Sequence, residues 1–228
     1  MKNQVGVIGR PYKTWLGAAV LLVTVCLILL EVFTSDRFGR SGATLLVDRV
    51  SSLVLPPRPV SKLELIDSNE RSFTALNLVD RWTFIVFGFT YCPDICPSTL
   101  AILTEFREVL TREFADAKDV NIILVTVDPE RDTPAILKQY VQHFDPRFLG
   151  LSGTDANIRN LANQLGASFE ISNRDAPDGY TVSHSASLYL IDPQARHYAT
   201  YVAPLEAALI SQRLNVFKQL YAQAKDRR

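Results

Sequence analysis

The chain has 228 residues, 47% of them hydrophobic, and its 24 Lys and Arg balance its 24 Asp and Glu to a formal net charge of zero. A nucleic-acid-binding protein normally carries a basic patch or run, so zero net charge without such a run argues against nucleic acid as a partner. Three cysteines are too few for a disulfide-stapled scaffold, and the length allows one domain with a core of ordinary size.

The first predicted element is an apolar segment near the N-terminus. Residues 15–30 contain no charged side chain, and basic residues precede them. As a helix they span about 24 Å, slightly less than the roughly 30 Å hydrocarbon core, so we expect a single transmembrane anchor over residues 15–33. The basic flank predicts that residues 1–14 stay in the cytoplasm. A cleaved signal peptide is the alternative, but no Ala-x-Ala-like cleavage site follows promptly.

This anchor predicts where the rest of the chain lies. The domain would face the periplasm from a bacterial inner membrane, because residues 1–14 are too short and mixed for a mitochondrial targeting sequence. Cys26 is expected to be a membrane-buried cysteine, since the bulky residue before it disfavours lipoprotein cleavage. Residues 34–60 contain a proline cluster and are predicted to be a stiff, extended tether. Residues 61–228 are then the folded domain.

The domain begins with a predicted hairpin and an inner strand. Lys62–Ile66 and Arg71–Leu76 flank four turn-forming residues, which indicates antiparallel pairing. The apolar, β-rich run Trp82–Phe89 follows, and its Phe84–Phe89 part is predicted to be a strand of the sheet interior.

Cys92 and Cys96 follow that strand directly. Thr99–Leu110 has apolar residues at helical spacing, and the prolines at 93 and 97 restrict the helix start to this point. With Asp94 as N-cap, Cys96 lies in the first turn, where the positive end of the helix favours thiolates. Spacing of four residues brings both sulfurs within reach of one ion and also permits a disulfide. A bridge closing so short a loop adds little stability, so the pair is predicted to be reactive rather than structural.

An acidic loop follows the next strand. Val120–Val127 is a nearly continuous apolar run, as in a parallel strand covered on both faces. Asp128 comes at the carboxyl end of this strand, where open α/β sheets place their sites. It is therefore a candidate to orient a ligand or a partner. The equally weighted alternative is that Asp128 and Asp132 serve turn geometry and helix capping.

The remaining elements predict a mixed sheet with helices on its faces. A cysteine turn after an inner strand, with a βαβ unit behind it, indicates a thioredoxin-like α/β fold. In chain order these elements are a helix opened by Thr133 and Pro134 and running to about His143, a strand at Phe148–Leu151, a helix capped by Asp155 and stopped by Gly166, a loop over residues 171–180, a hairpin of Ser185–Ile191 and His197–Val202, and a closing helix over Leu205–Lys225.

The chain has three histidines, and one of them is a candidate ligand. His143 is expected to cap a helix C-terminus, and His197 is expected to be a solvated strand residue. His184 lies in a short polar run between a loop and an inner strand, which in a thioredoxin-like sheet is beside the helix carrying the cysteines. Two thiolates and one imidazole form a soft, three-coordinate set suited to copper. Zinc is the weaker alternative because it normally requires a fourth ligand.

Four segments of the chain, in order, resemble the Sco/SenC proteins, which are membrane-anchored, thioredoxin-fold copper proteins linked to cytochrome c oxidase assembly. The resemblance extends from about Pro57 to Arg228 and implies that Cys92, Cys96 and His184 bind copper. Many relatives have aspartate where this chain has Ser183, so a docking role of that aspartate is not carried over. The segments are Phe87–Pro97, Thr126–Pro134, Leu149–Thr154 and Tyr180–Ser185.

The resemblance implies a copper chaperone rather than an enzyme. It would hold one copper per domain, as Cu(I) with Cu(II) as a second state, and help to metallate the CuA centre of the copper-binding subunit of cytochrome c oxidase. An upstream periplasmic copper donor would load it. The alternatives are a thiol–disulfide oxidoreductase using Cys92 and Cys96, a copper or redox sensor, and a peroxidase. A peroxidase would use Thr90, but no arginine partner for it is identifiable in the sequence.

Overall fold

The computed structural model describes residues 24–25, 51–113, 120–172 and 180–226. Apart from residues 24 and 25, the predicted anchor lies outside these ranges, as do residues 1–14 and 34–50. Within the described ranges, no helix combines the length and apolarity that a membrane crossing requires. The chain divides into two units, residues 1–46 and 47–228, and the elements below belong to the second.

A mixed eight-stranded sheet forms the centre of the second unit. Its strand order is β1-β10-β9-β4-β5-β6-β2-β3, and β7 pairs with β8 in a separate two-stranded sheet. The strands are β1 (Ser51–Pro59), β2 (Leu65–Asp67), β3 (Ser72–Phe73), β4 (Trp82–Gly88), β5 (Val120–Thr126), β6 (Leu149–Ser152), β7 (Phe169–Ser172), β8 (Thr181–His184), β9 (Leu188–Ile191) and β10 (Arg196–Tyr201). The helices are α1 (Ile95–Glu113), α2 (Pro134–Phe144), α3 (Asp155–Leu165) and α4 (Ala207–Asp226), with a 3₁₀ turn at Ala75–Leu78.

Parallel pairing at the middle of the sheet brings the carboxyl ends of neighbouring strands to the same edge. β4 pairs in parallel with β5, and β5 in parallel with β6. β9 and β10 form the predicted last hairpin, β2 and β3 form the predicted first hairpin, and β9 also pairs with β4 in the antiparallel sense. The loops after β4 and β5 therefore meet at one edge of the sheet. This mixed sheet with flanking helices agrees with the predicted thioredoxin-like class.

The sheet is covered on both faces, because successive residues of a strand point to opposite sides. Phe84 and Val86 of β4 join one core with residues of α1, α2 and α4. Ile85 and Phe87 join a second core with residues of α3, and Cys96 belongs to this second core. Burial on both faces explains the continuous apolar sequence of β4 and β5.

The helix starts agree with the sequence except at α3. The Asp94 carbonyl accepts the first bond of α1 from the Ser98 N–H at 3.1 Å. Thr133 caps α2 as predicted, with its side chain accepting from Ile136. The cap of α3 is Thr154 rather than Asp155, because a hydroxyl one residue earlier already accepts from an N–H of the first turn. Gly166 ends α3 in the left-handed conformation, at φ 76°, as predicted.

Two strands lie where loop or tether was predicted. Residues 51–59, placed in the tether by their prolines, form β1 and pair with β10 at the edge of the sheet. An edge strand tolerates proline because one side of it needs no ladder hydrogen bond. Residues 171–172, predicted as loop, end β7, which pairs with β8. The structure describes nothing between residues 172 and 180.

The prediction for His197 is wrong, whereas His143 occupies the last turn of α2 as predicted. His197 is 2% exposed on β10, between the sheet and the edge strand. Its Nε2 lies 2.9 Å from Thr200 Oγ1, and its ring meets Tyr189 edge-on at 5.8 Å. Burial, with Arg58 adding repulsion, lowers the pKa of His197 to about 4. The edge strand β1, which the sequence did not predict, makes β10 an inner strand of the sheet.

Candidate metal centre

The two cysteines lie where β4 passes into α1. The Cys92 N–H donates to the Phe89 carbonyl at 3.2 Å and closes the turn after the strand. Cys96 lies in the first turn of α1, and its N–H points at Cys92 Sγ, 3.4 Å away. The helix start predicted from the two prolines therefore brings the two sulfurs together. Neither cysteine is in a disulfide.

The two sulfurs differ in their access to solvent. Cys96 is 1% exposed and packs in the second core, whereas Cys92 is partly exposed. Gly88 makes room for Cys96, because a Cβ at that position would lie 2.7 Å from Cys96 Sγ. A partner molecule can thus reach Cys92 first, with Cys96 behind it.

His184 supplies the third donor atom. Its Nε2 lies 3.1 Å from Cys96 Sγ and 4.0 Å from Cys92 Sγ. All three donor atoms lie within 4.8 Å of one another. The other ring nitrogen, Nδ1, lies 3.1 Å from the Ser185 carbonyl, which can only accept. A proton on Nδ1 leaves the Nε2 lone pair directed at the sulfurs, the tautomer a metal requires.

Burial favours the neutral forms of Cys96 and His184. It raises the pKa of the Cys96 thiol, and the neighbouring Cys92 sulfur adds to this, although a backbone contact at Phe89 opposes it. Burial also lowers the pKa of His184, opposed by the bond to the Ser185 carbonyl. The helix N-terminus was expected to promote ionisation, and at Cys96 burial outweighs it. A soft cation that replaces the thiol proton supplies the missing charge.

Asp128 follows β5, and its carboxylate is occupied by partners outside the cluster. Its carboxylate is 1% exposed and accepts from the Tyr180 hydroxyl at 2.5 Å and from Arg131 Nε. The Arg131 guanidinium lies 3.9 Å from the Tyr180 ring centroid and 5.1 Å from that of Tyr91. Among the described residues, the possible metal cluster contains the two cysteines and His184 without Asp128. Asp128 therefore supports the loops around the centre.

Asp132 connects the loops after β4 and β5. It is fully buried and accepts from the Thr90 hydroxyl at 2.5 Å, the Thr90 N–H at 3.0 Å and the Thr126 hydroxyl at 2.6 Å. Burial raises the pKa of Asp132, and the threonine bonds oppose that shift. Helix capping, the alternative considered for Asp132, belongs to Thr133. The Thr90 hydroxyl is directed to this carboxylate, so the arrangement gives the peroxidase hypothesis no support.

Several supporting residues were not identified from the sequence. Gly88 and Tyr180 lie in the segments that carry the resemblance, yet only their contacts reveal what they do. Ser185 directly follows His184, and its hydroxyl pairs with Tyr189 at 3.2 Å. These residues form no recognisable ligand motif in the sequence, so no sequence signal distinguishes them from residues that only pack in the core.

Comparison with known proteins identifies a family over most of the domain. The family profile described as SCO1/SenC matches residues 56–218. A Stutzerimonas stutzeri protein whose name refers to copper binding is 37% identical over 163 residues, which are 71% of this chain and 78% of that protein. An SCO2-like protein of Rickettsia felis is 39% identical over 135 residues, 59% of this chain and 64% of its own length. The solved structure of yeast Sco1 with copper bound superposes with a TM-score of 0.68 at 30% identity, covering 75% of this chain and 94% of that one.

Proposed function

The chain belongs to the SCO1/SenC family, and from that premise we propose that its domain carries one copper ion on Cys92, Cys96 and His184. It delivers this ion to the copper-binding subunit of cytochrome c oxidase during assembly of the CuA centre. The copper-bound yeast relative supports the identity of the metal. Copper is cargo in this proposal, so the protein is a carrier rather than an enzyme.

The observation that carries the proposal is the convergence of two sulfurs and one imidazole nitrogen within 4.8 Å. Two thiolates and an imidazole are soft ligands, and Cu(I) is stable with such a small set. The described residues bring no further His, Cys, Asp or Glu into the cluster. This supports a three-coordinate ion and argues against zinc, which normally takes four ligands.

The difference in exposure of the two sulfurs supports transfer. Cys92 is partly exposed, whereas Cys96 is buried behind it. A three-coordinate ion leaves room for an incoming thiolate from the acceptor, which meets the centre on the Cys92 side. Ligands are then exchanged one at a time, and the copper never leaves protein ligands.

The proposal includes a membrane location. Residues 15–33 anchor the chain in a bacterial inner membrane, residues 1–14 lie in the cytoplasm, and the domain lies in the periplasm. The absence of charge over residues 15–30 and the basic residues before them support this topology. β1 begins at Ser51, so in this proposal the tether covers only the part of the predicted tether that precedes it, residues 34–50. A periplasmic donor loads the copper.

The test is a copper titration of the full chain in detergent. Cu(I) competition with a chromogenic chelator should give one copper per chain, with two sulfurs and one nitrogen in the X-ray absorption spectrum. His184→Ala should lose most of this affinity, because a two-coordinate ion is open to competitors. His143→Ala is the matched control, since it removes an exposed imidazole from α2. Equal copper retention by His184→Ala and the control would refute the ligand assignment.

A thiol–disulfide oxidoreductase is the second candidate, favoured by the pairing of a partly exposed with a buried cysteine. The Cys92 thiolate would attack a disulfide of the oxidase subunit and form a mixed disulfide, releasing one substrate thiolate. Cys96 would then attack Cys92 Sγ and release the second substrate thiolate. Two electrons pass from the cysteine pair to the substrate, and the carrier is left with a Cys92–Cys96 disulfide.

His184 discriminates between the two functions. Copper carriage needs its nitrogen, whereas thiol exchange needs only the sulfurs. In cells, His184→Ala should abolish oxidase maturation at limiting copper, while Cys92–Cys96 disulfide formation in the purified variant continues. Normal maturation by His184→Ala at limiting copper would favour the oxidoreductase instead.

A further inference from the structure

The histidine and the cysteines of the metal centre belong to different sheets. Cys92 and Cys96 follow β4 of the eight-stranded sheet, whereas His184 ends β8, which pairs with β7 in a separate two-stranded sheet. No ladder hydrogen bond joins the β7–β8 hairpin to the main sheet in the described ranges. Side-chain contacts therefore help to set the distance from Nε2 to the two sulfurs.

One side-chain anchor precedes His184 in the chain. The Tyr180 hydroxyl donates to Asp128 Oδ1 at 2.5 Å, and the Arg131 guanidinium covers the Tyr180 ring at 3.9 Å. Asp128 is fixed to the main sheet, because its N–H donates to the Thr126 hydroxyl at 3.0 Å and its carboxylate is 1% exposed. This anchor ties the start of β8 to the loop after β5.

A second anchor follows His184. The hydroxyls of Ser185 and Tyr189 lie 3.2 Å apart, and Tyr189 is a buried residue of β9 in the main sheet. Ser185 also donates its N–H to the Ser168 carbonyl at 2.9 Å. The carbonyl of this same Ser185 accepts from His184 Nδ1. The second anchor thus fixes the acceptor that sets the imidazole tautomer.

We propose that Tyr180 and Tyr189 are positioning residues that hold the His184 imidazole against the sulfur pair, one from each end of its segment. The proposal rests on the copper-carrier function and adds the residues that make the third ligand available. Apolar packing of Phe169 and Val182 on the second core holds the hairpin near the sheet. Apolar packing is not directional, whereas the hydrogen bonds of the two tyrosine hydroxyls fix the orientation and position of the His184 imidazole.

The chain offers a matched set of variants. Tyr180→Phe and Tyr189→Phe each remove one hydroxyl and keep the ring. Tyr201→Phe is the control, because Tyr201 is a fully buried tyrosine of the first core whose hydroxyl has no partner among the described residues. Ser185→Ala removes the second anchor from its other side and serves if Tyr189→Phe fails to fold.

The first measurement needs no metal. With ¹⁵N-labelled histidine in the full chain, the His184 signals, assigned by their loss in His184→Ala, should show a proton on Nδ1 alone at neutral pH. In Tyr189→Phe and Ser185→Ala we expect mixed tautomers, and in Tyr180→Phe broadened ring signals. Tyr201→Phe should match the unmodified chain. A purely structural role would lower the melting temperature and leave the tautomer unchanged, which would overturn the proposal.

The second measurement is copper dissociation into excess chelator. We expect each anchor variant to release Cu(I) about fivefold to tenfold faster, and the double variant faster than either single one. Reaction of the metal-free thiols with a disulfide reagent should stay within about twofold, since the sulfurs do not move. Unchanged copper release in both anchor variants would refute the positioning role. If the unmodified chain binds no copper, the carrier function fails, while the imidazole spectra still decide whether the anchors position His184.

Discussion

Gly88 offers a direct test of how the second sulfur is placed. It ends β4, and an added Cβ would lie 2.7 Å from Cys96 Sγ and 3.0 Å from Leu124 Cδ1. Ordinary contacts begin near 3.5 Å, so Gly88→Ala forces a displacement of about 0.8 Å at the sulfur. Cys96 is 1% exposed and packs in the second core, so its neighbours oppose this displacement.

This overlap should reduce both stability and copper affinity. Overpacking of this kind costs about 1–3 kcal/mol in the free energy of unfolding, measured by urea denaturation of the metal-free chain. Copper ligation requires the sulfur at its original position, so we expect the complex to carry about 1–3 kcal/mol more strain than the metal-free chain, and the Cu(I) affinity to fall about fivefold to 150-fold in a chelator competition. Removing the sulfur should relieve the strain, so Gly88→Ala should cost at least about 1 kcal/mol less in a Cys96→Ala background.

Gly153→Ala is the matched control. Its added Cβ would also lie 2.7 Å from a side chain, in this case Leu65 Cδ2. Leu65 belongs to β2, which is outside the cysteine turn. We expect this variant to lose some stability and to bind copper as the unmodified chain does. The reasoning is refuted if the two alanine variants have equal copper affinity, or if Gly88→Ala costs the same with and without the Cys96 sulfur.

Three further predictions follow from the buried ionisable groups. The Cu(I) affinity should rise with pH through neutrality, because copper must displace the proton of Cys96, whose pKa is raised by burial; a flat profile would contradict thiolate ligation. Because the pKa of His197 falls from 6.5 to about 4 on folding, the unfolded chain binds the extra proton between these values, and stability is lost as the pH falls through this window. Between pH 6.5 and 4.5 the loss should be about 2–3 kcal/mol larger than in His197→Gln, and equal losses in urea titrations would exclude His197 as the cause. Asp132→Ala should destabilise the chain by about 2–3 kcal/mol, because it leaves the Thr90 N–H and hydroxyl unpaired. Asp132→Asn keeps an acceptor and should cost less in the free energy of unfolding. Similar costs for the two variants would contradict the bridging role of Asp132.

The cysteine half of the centre was predictable from local rules. Proline is tolerated only in the first helical turn, so Pro93 and Pro97 fix the start of α1 and the placement of Cys96 within one turn. The apolar run before them is long enough to indicate a strand buried on both faces. Both patterns depend only on neighbouring residues, so they can be interpreted without knowledge of the tertiary structure.

The supports of the centre were not predictable, because they depend on contacts between distant segments. Asp128 was equally consistent with turn geometry until Tyr180, 52 residues later, was found to donate to it. His197 was expected to be a solvated strand residue because it follows the turn of the last hairpin, and the strand that pairs with β10 on its outer side was assigned to a tether. Residues 51–59 were assigned to the tether because of their prolines, but proline occurs in edge strands as well as in tethers.

The division of the centre between two sheets separates its two chemistries. Thiol exchange needs Cys92 and Cys96, which lie together where β4 passes into α1, whereas copper retention also needs His184 from the β7–β8 hairpin. A change at the hairpin anchors, such as Tyr180→Phe, should therefore lower copper retention and spare thiol exchange. A change beneath the sulfurs, such as Gly88→Ala, should alter both, because it moves an atom that the two reactions share. At limiting copper, cells carrying the first kind of variant would still reduce a target disulfide but fill the copper site more slowly, which distinguishes delivery from reduction without the loss of any ligand.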